Sequence, residues 1–301
     1  SYFNRPIEAI SEVPTLRRDG SVICDPGFDA ETGTFYAPSA EFPIVRNPKE
    51  AIEALLALLV DFPFAGENHK AAFVAMLLTP LARLAFYGPS PLHLIDSNTP
   101  GSGKLLLVNL VSLIACGRLM PVSTAPESDA EWRKQITSKA IAGDLIYLID
   151  NIAGKLASPS LDAALTATTW SDRILGISKT VTLPLRLTFF GTGNNVTLHR
   201  DTLRRTNYCR LQSSVENPET RSGFKFPSLL NHVREKRGYY TACALAILQG
   251  YCKAGRPDQK LPPLGSFEGW SDLVRSAVVW CGLPDPMGTR VALAESDDDT
   301  T

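Results

Sequence analysis

The sequence predicts an α/β protein in which a parallel sheet core over residues 88–212 is flanked by N-terminal and C-terminal helical regions. Three observations carry this. Short apolar runs recur at 92–95, 145–149, 185–190 and 208–211, each bounded by polar residues or glycine. Helical stretches alternate with them, the pattern of buried parallel strands joined by crossover helices. On both sides of this block, apolar residues fall at helical spacing instead.

In chain order, residues 1–46 are rich in turns: Asp19-Gly20, Pro26-Gly27 and Thr32-Gly33 separate short apolar pieces such as Val22-Ile23. This reads as a small β segment. Residues 47–87 read as a helical region. Asn47-Pro48 is a start signal, and Ile52, Leu55, Leu56 and Leu59 follow as an apolar stripe. A second helix over 69–86 carries Phe73, Met76, Leu77 and Leu81. Within the core, 105–116 and 129–142 read as helices. Residues 213–290 read as a helical lid, with helices over 241–251 and 267–281 and prolines at 262, 263, 284 and 286. Trp270 and Trp280 read as packing residues. The acidic run Glu295-Ser296-Asp297-Asp298-Asp299 reads as a solvated tail over 291–301.

The 301 residues contain 44% hydrophobic and 20% charged residues, with a net charge of −1. That excludes a disordered, collagen-like or histone-like chain. No apolar run reaches the ~18 residues of a membrane span, so no membrane partner is expected. The six cysteines form no CxxC pair and do not cluster with the four histidines, so no zinc site is expected. Scattered in apolar stretches, the cysteines suggest reduced thiols in a cytoplasmic protein. The start at Ser1, without an initiator Met or signal sequence, suggests a piece of a longer protein.

The chemistry concentrates after the first core strand, which runs into Asn98-Thr99-Pro100-Gly101-Ser102-Gly103-Lys104 and then an apolar helix. A strand, a glycine-rich turn, a lysine and a helix are the context of a phosphate-binding loop. Glycines let backbone N–H groups converge on phosphates, the helix N-terminus adds its positive dipole end, and Lys104 supplies a point charge. Residues 98–105 are thus the candidate ATP-binding segment. Two positions depart from GxxxxGK[ST]. Asn98 stands at the first glycine, where Asn is expected to tolerate a left-handed backbone. Leu105 stands where a Ser or Thr hydroxyl would bind Mg²⁺.

Downstream, the strand 145–149 delivers Asp150-Asn151 at its end, as a Walker B strand does. Asp150 would hold Mg²⁺ through water, with Asn151 lining the nucleotide. The residue that would polarise an attacking water is not obvious; Asp129 and Glu131 are alternatives that also read as ordinary acidic residues of a helix N-terminus. The strand 185–190 ends in Gly191-Thr192-Gly193-Asn194-Asn195, where an amide could touch the γ-phosphate, Asn194 ahead of Asn195. Arg204-Arg205 suits an arginine finger, which stabilises γ-phosphate charge on a neighbouring copy.

In order, these pieces resemble the AAA+-type helicase module, related to superfamily 3 helicases, of primase-helicase replication proteins from phages, plasmids and integrative elements. The resemblance spans most of the chain. It rests on residues 14–21 and 26–29, 78–83, 100–104, 149–151, 172–176, 192–195 and 203–205, and on a C-terminal pattern from Gly265 to Pro286 that includes Trp270, Arg275 and Trp280. The Asp-Asn pair at 150–151 is similar to the group's usual form; Leu105 departs from its Thr or Ser. The resemblance implies an AAA+-like P-loop core and ATP with Mg²⁺ bound between subunits. It also implies a ring-shaped homo-oligomer, a hexamer, around single-stranded or forked DNA, and a fused or associated primase or polymerase domain.

It further implies a hairpin between the Walker B and sensor strands that projects a base into the ring's pore. Here that segment is about 176–184, with Lys179 as its only base and Arg173 beside it as the candidate DNA contacts. Residues 173–210 contain seven basic residues and one acidic residue, a net +6 against −7 elsewhere, so the near-zero total hides a local basic stretch. Arg275, or else Arg237, is the candidate second sensor over the nucleotide. The function expected is an ATP-dependent DNA helicase or translocase; the alternative, favoured by Leu105, is a nucleotide-binding scaffold or loader with impaired hydrolysis. A small-molecule kinase would share the loop but give the arginine pair no role.

Overall fold

The computed structural model describes residues 7, 9–174, 179–215 and 217–290. The acidic tail and the tip of the expected pore hairpin lie outside them.

The N-terminal segment forms short strands: β1 (Ala9–Ser11), β2 (Thr15–Leu16), β3 (Val22–Ile23), β4 (Gly27–Asp29) and β5 (Thr34–Tyr36). β2 pairs antiparallel with β3, and β5 lies between β1 and β4. Two helices follow, α1 (Pro48–Ala57) and α2 (Glu67–Ala82). The start signal acts as read: Asn47 Oδ1 accepts the Lys49 N–H at 3.0 Å, and Pro48 takes the first turn. α2 ends four residues before the expected 86 and contains Pro80 in its last turn.

The sheet core runs through β6 (Leu92–Ser97), α3 (Lys104–Cys116), β7 (Val122–Thr124), α4 (Asp129–Ala142) and β8 (Ile146–Ile152). It continues with β9 (Lys155–Leu156), α5 (Pro159–Ala164), β10 (Thr169–Arg173), β11 (Thr180–Pro184) and β12 (Thr188–Asn194). It closes with β13 (Thr197–Leu198), α6 (Arg200–Leu203) and β14 (Thr206–Leu211). The five-stranded sheet has the order β14-β6-β12-β8-β7 and is parallel throughout. The α/β class with a P-loop-type core is as the sequence predicts. β12 begins later than expected and runs to Asn194, so 185–187 is a connection. β7, polar and three residues long, has no apolar signature to announce it.

Because β6 lies between β14 and β12, the chain leaves β6 to one side and returns on the other. A crevice opens outside the carboxyl ends at such a point, where ligands of parallel sheets settle. The β6–α3 turn sits there.

The two faces of the sheet differ. One packs against α1, α2, α3, the N-terminal Val13 and Leu16, and the C-terminal helices α7 (Leu229–Glu235), α8 (Arg237–Lys253) and 268–280 in a single apolar core. The regions before and after the sheet therefore share one core. α1 crosses α8 closely enough that a Cβ on Gly250 would meet Pro48 Cγ at 2.3 Å. Within this core Trp270 is fully buried and donates to Thr79 Oγ1 at 2.9 Å, as a packing residue. The other face packs a smaller cluster from α4, α5 and the root of the β10–β11 hairpin. The stretch 268–280 is α9 (Glu268–Trp270), a π-helical turn over Ser271–Arg275 and α10 (Ser276–Trp280).

Candidate functional site

The loop between β6 and α3 folds as a phosphate cradle requires. Gly101 and Gly103 have φ of 71° and 96°, left-handed values that glycine adopts without strain. Gly103 is also packed: a Cβ there would lie 3.0 Å from the Phe62 ring. Asn98 behaves differently from the expectation. Its φ is not positive; its side chain instead grips Ser213 after β14, donating to Ser213 O at 2.9 Å and accepting Ser213 N at 3.0 Å. Its role is to tie the loop to the end of the sheet. Ser97 Oγ lies 2.7 Å from Thr99 O and braces the loop's first turn.

Lys104 opens α3 and turns back toward the strand ends. Its Nζ lies 2.7 Å from Ser97 Oγ, 2.7 Å from Asn194 Oδ1 and 3.4 Å from Ser102 Oγ. Among the described residues its hydrogen-bond partners are all neutral oxygens. Burial lowers its pKa, with Asp96 and Asp150 opposing that shift through space. A half-buried ammonium without a paired carboxylate is incomplete, and an anionic ligand completes it.

Asn194, expected at the γ-phosphate, lies on Lys104, reaching it from the carboxyl end of the neighbouring strand. Asp150, at the end of β8, accepts a hydrogen bond from Thr192 Oγ1 on β12, and the same oxygen receives Asn151 N–H at 3.2 Å. Asn151 has φ 57° and is exposed. Thr192 was hidden among glycines as an apparent turn residue; only strand pairing makes it a partner of Asp150.

Among the described residues no cluster of three or more His, Cys, Asp or Glu could hold a metal. Leu105 is 36% exposed at the start of α3 and carries no oxygen. The residues fit Mg²⁺ only in its usual protein mode, one carboxylate with phosphate and water oxygens completing the octahedron; Asp150 would be that carboxylate.

Beneath the cradle lies a buried network that sequence reading missed. Asp96, fully buried on β6, accepts from Arg210 Nη1 at 2.6 Å, Tyr208 OH at 2.8 Å and Val196 N at 3.2 Å. Arg210 also reaches Asn195 Oδ1 at 2.8 Å, so Asn195 is held in the scaffold and Asn194 is the amide left beside Lys104. Beside Gly101–Gly103 opens a cavity of about 490 Å³ whose walls include Phe62, Phe224, Phe226, Arg221 and Arg234. Asp61 Oδ2 accepts Lys225 N–H at 2.8 Å and pins the 218–228 segment over it. Its size and aromatic walls suit a planar ring with a polar edge. These residues span the chain too widely for any local motif to reveal them.

The arginine pair separates. Arg205 is bonded to Asp162 on α5, with Nη1 3.2 Å from both Oδ1 and the backbone oxygen. The Arg204 side chain is 64% exposed, and its ion-pair partner among the described residues is Asp201, one helical turn away, at 3.1 Å.

Four alternative candidates turn out to be structural. Arg275 is buried and donates to both carboxylate oxygens of Asp285 at 2.7 and 2.6 Å and to Pro262 O at 2.8 Å, so it is not a sensor over the nucleotide. Arg237 lies against Gly117, the C-terminal cap of α3, at the end of that helix opposite the loop. There it favours the negative dipole end and donates to Ser39 Oγ at 2.8 Å. Asp129 accepts from Ser158 Oγ, Ser160 N and Ser160 Oγ at 2.7–2.8 Å, which lowers its pKa and leaves it as a brace of the α5 N-terminus. Glu131 pairs with Lys134 on the solvent side of α4.

The expected hairpin is present. β10 and β11 pair antiparallel from Thr169↔Pro184 to Arg173↔Thr180, and Ile174 N donates to Lys179 O at 3.0 Å. Asp172 anchors it to α4, accepting from Arg133 Nε at 3.0 Å and Thr137 Oγ1 at 2.6 Å. Arg173 and Lys179 are both exposed and flank the tip, residues 175–178, which lies outside the described residues.

No protein-family profile matches the chain, and no curated protein matches it. Among solved structures, the chain is similar to the C-terminal region of NrS-1, at 17% identity and TM-score 0.46 over 71% of this chain. It spans about half the length of that relative, 49%. It is also similar to JCV helicase, at 15% identity and TM-score 0.34 over 78% of this chain and 67% of that one. The likeness is one of fold.

Proposed function

We propose that this chain is the ATP-driven motor module of a mobile-element DNA replication protein, acting as a ring-shaped homo-oligomer, a hexamer, on single-stranded or forked DNA. The observation that carries the reading is Lys104: a half-buried cation at a glycine-loop helix start, held by neutral oxygens alone. Backbone N–H groups of the 101–104 turn and Lys104 Nζ hold the β- and γ-phosphates, and the base occupies the cavity walled by Phe62, Phe224 and Phe226. Bound Mg²⁺ would supply Lewis-acid neutralisation of phosphate charge, with Asp150 as its protein carboxylate. Asn194, now on Lys104, passes to the γ-phosphate when the lysine does, so nucleotide state reaches β12 and the hairpin before it. Arg204 faces the nucleotide of a neighbouring copy. Arg173 and Lys179 meet DNA phosphates, and a primase or polymerase domain in the same or an associated chain uses the strand.

Leu105 supports the second reading, a nucleotide-dependent scaffold or loader with little turnover. ATPase rates with and without single-stranded DNA, for this chain and Leu105→Thr, separate the two. DNA-stimulated turnover in both supports the motor. Turnover restored only in Leu105→Thr supports the scaffold, with a gain of roughly tenfold or more, about 1.4 kcal/mol of barrier. Absence of turnover in both, with ATP binding intact, sinks the motor. Lys104→Ala is expected to weaken ATP binding by roughly 10–100-fold, the loss of one charged contact; unchanged binding would discard the loop assignment.

A further inference from the structure

A second cavity, of about 540 Å³, opens at the other end of the sheet. Its walls come from four places: the β2–β3 turn, the β4–β5 turn, the connection from α2 to β6 and the root of the β10–β11 hairpin. Arg18, Arg83 and Arg186 line it, and among the described lining residues the one carboxylate is Glu31, which is exposed and faces Arg17 at 3.9 Å.

Arg83 is the informative member. Only 6% of it is exposed, and no carboxylate pairs with it among the described residues. Nη2 donates to Leu185 O at 3.1 Å, while Nε is buried with no hydrogen-bond partner. Burial first and the like charge of Arg186 second push its pKa down to about 10, still far above neutral, so the guanidinium stays charged. A buried, charged, partly unbonded arginine is costly unless something anionic arrives. At the rim, the Arg18 guanidinium stacks on Tyr87, 3.5 Å from the ring centroid. Tyr87 is 71% exposed. Arginine forks next to an aromatic ring are the combination that holds a phosphodiester and a base of a single strand.

Placement identifies the strand. Leu185 N donates to Thr168 O at 2.9 Å, closing the hairpin root at the cavity wall. Five residue pairs separate this root from Arg173 and Thr180 near the tip, roughly 16 Å at ~3.3 Å per residue. We propose that this cavity is a second phosphate-binding site, taking a backbone phosphodiester of single-stranded DNA that runs along the hairpin. The proposal rests on the translocase reading for its occupant.

The test uses anisotropy of a fluorescein-labelled dT20 across a salt series, with the whole chain, Arg186→Gln, Arg18→Gln and Lys179→Ala. Melting temperatures identify folded variants, and two cavity variants guard against one failing to fold. Losing one phosphate contact should flatten the slope of log K against log[salt] by about 0.7, roughly a 5-fold loss at 0.1 M salt. Folded cavity variants with the wild-type slope overturn the site. If Lys179→Ala weakens binding while both cavity variants do not, the translocase reading stands and this inference falls. If the wild-type chain does not bind dT20, both fall. Titration with inorganic pyrophosphate separates the anion's source. Pyrophosphate binding lost in the cavity variants, with dT20 binding untouched, overturns the phosphodiester as occupant.

Discussion

The two ends of the central sheet handle charge in opposite ways. At the carboxyl end, Asp96 neutralises Arg210, Asp150 is held by Thr192, and Lys104 rests on neutral oxygens. One cation is left for one small anion. At the amino end, several described arginines rest on weaker partners. Arg83 leans on a backbone carbonyl, Arg290 on the carbonyls of Thr206 and Arg204, and Arg204 on an exposed aspartate. Backbone oxygens carry only partial charge, so among the described residues Arg83 and Arg290 are left without a carboxylate in salt-bridge contact. Under the proposed function, one sheet separates a site for a compact ligand from a surface for a long one.

The sharpest way to break this contrast is at the arginine pair. Arg204→Ala should lower DNA-stimulated ATP turnover by roughly 10³-fold, the lower end for a lost arginine finger, with an unchanged melting temperature. Arg205→Ala should instead cost stability of about 1–3 kcal/mol through Asp162, read by urea denaturation. Equal effects on turnover would erase the distinction between an outward and an inward arginine.

At the carboxyl end, Asp96→Asn leaves Arg210 short of its buried carboxylate. It should destabilise the fold by about 3 kcal/mol, measured as a fall in the urea midpoint at constant m-value. A neutral result would mean that the cradle does not depend on the pair beneath it.

The smallest effect concerns His93, the second residue of β6. It is fully buried, its Nε2 has no partner, and burial pushes its pKa down to about 3. The unfolded chain binds this proton below its ordinary value of about 6.5 and the folded chain does not, so stability falls as pH drops through that value toward 3. Between pH 6.5 and 4.5 the loss should reach about 2–3 kcal/mol, seen as a falling melting temperature. His93→Gln should flatten the profile over that window; an unchanged slope would assign it to other groups.

The order of elements and the cradle were legible because both are local. A strand, two left-handed glycines, a lysine and a helix lie within a dozen residues, and their chemistry follows from backbone geometry. Asp150 and Asn194 were legible for a related reason, since an apolar run that ends in a polar residue delivers it to the sheet's edge. The roles of arginines were not legible. Arg204 and Arg205 are neighbours in sequence, yet one faces solvent and the other Asp162, forty-three residues earlier. Arg275 resembled a sensor by position and proved to be half of a buried pair with Asp285. A long cationic side chain takes its function from whichever acid, carbonyl or ring the fold brings within reach, and that is set by packing.

The sequence by itself determined the α/β class, the glycine loop with Lys104, and the strand ends that carry Asp150 and Asn194, because strand period, turn chemistry and helix starts are written in consecutive residues. Tertiary structure alone decided that Asn98 clasps Ser213, that Asp96 and Arg210 underlie the cradle, that Phe62 and Phe226 wall a cavity beside it, and that Arg83 is left partly unbonded at the hairpin root. These are meetings of residues far apart in the chain, and only the closing of the sheet and the shared helical core brings them together.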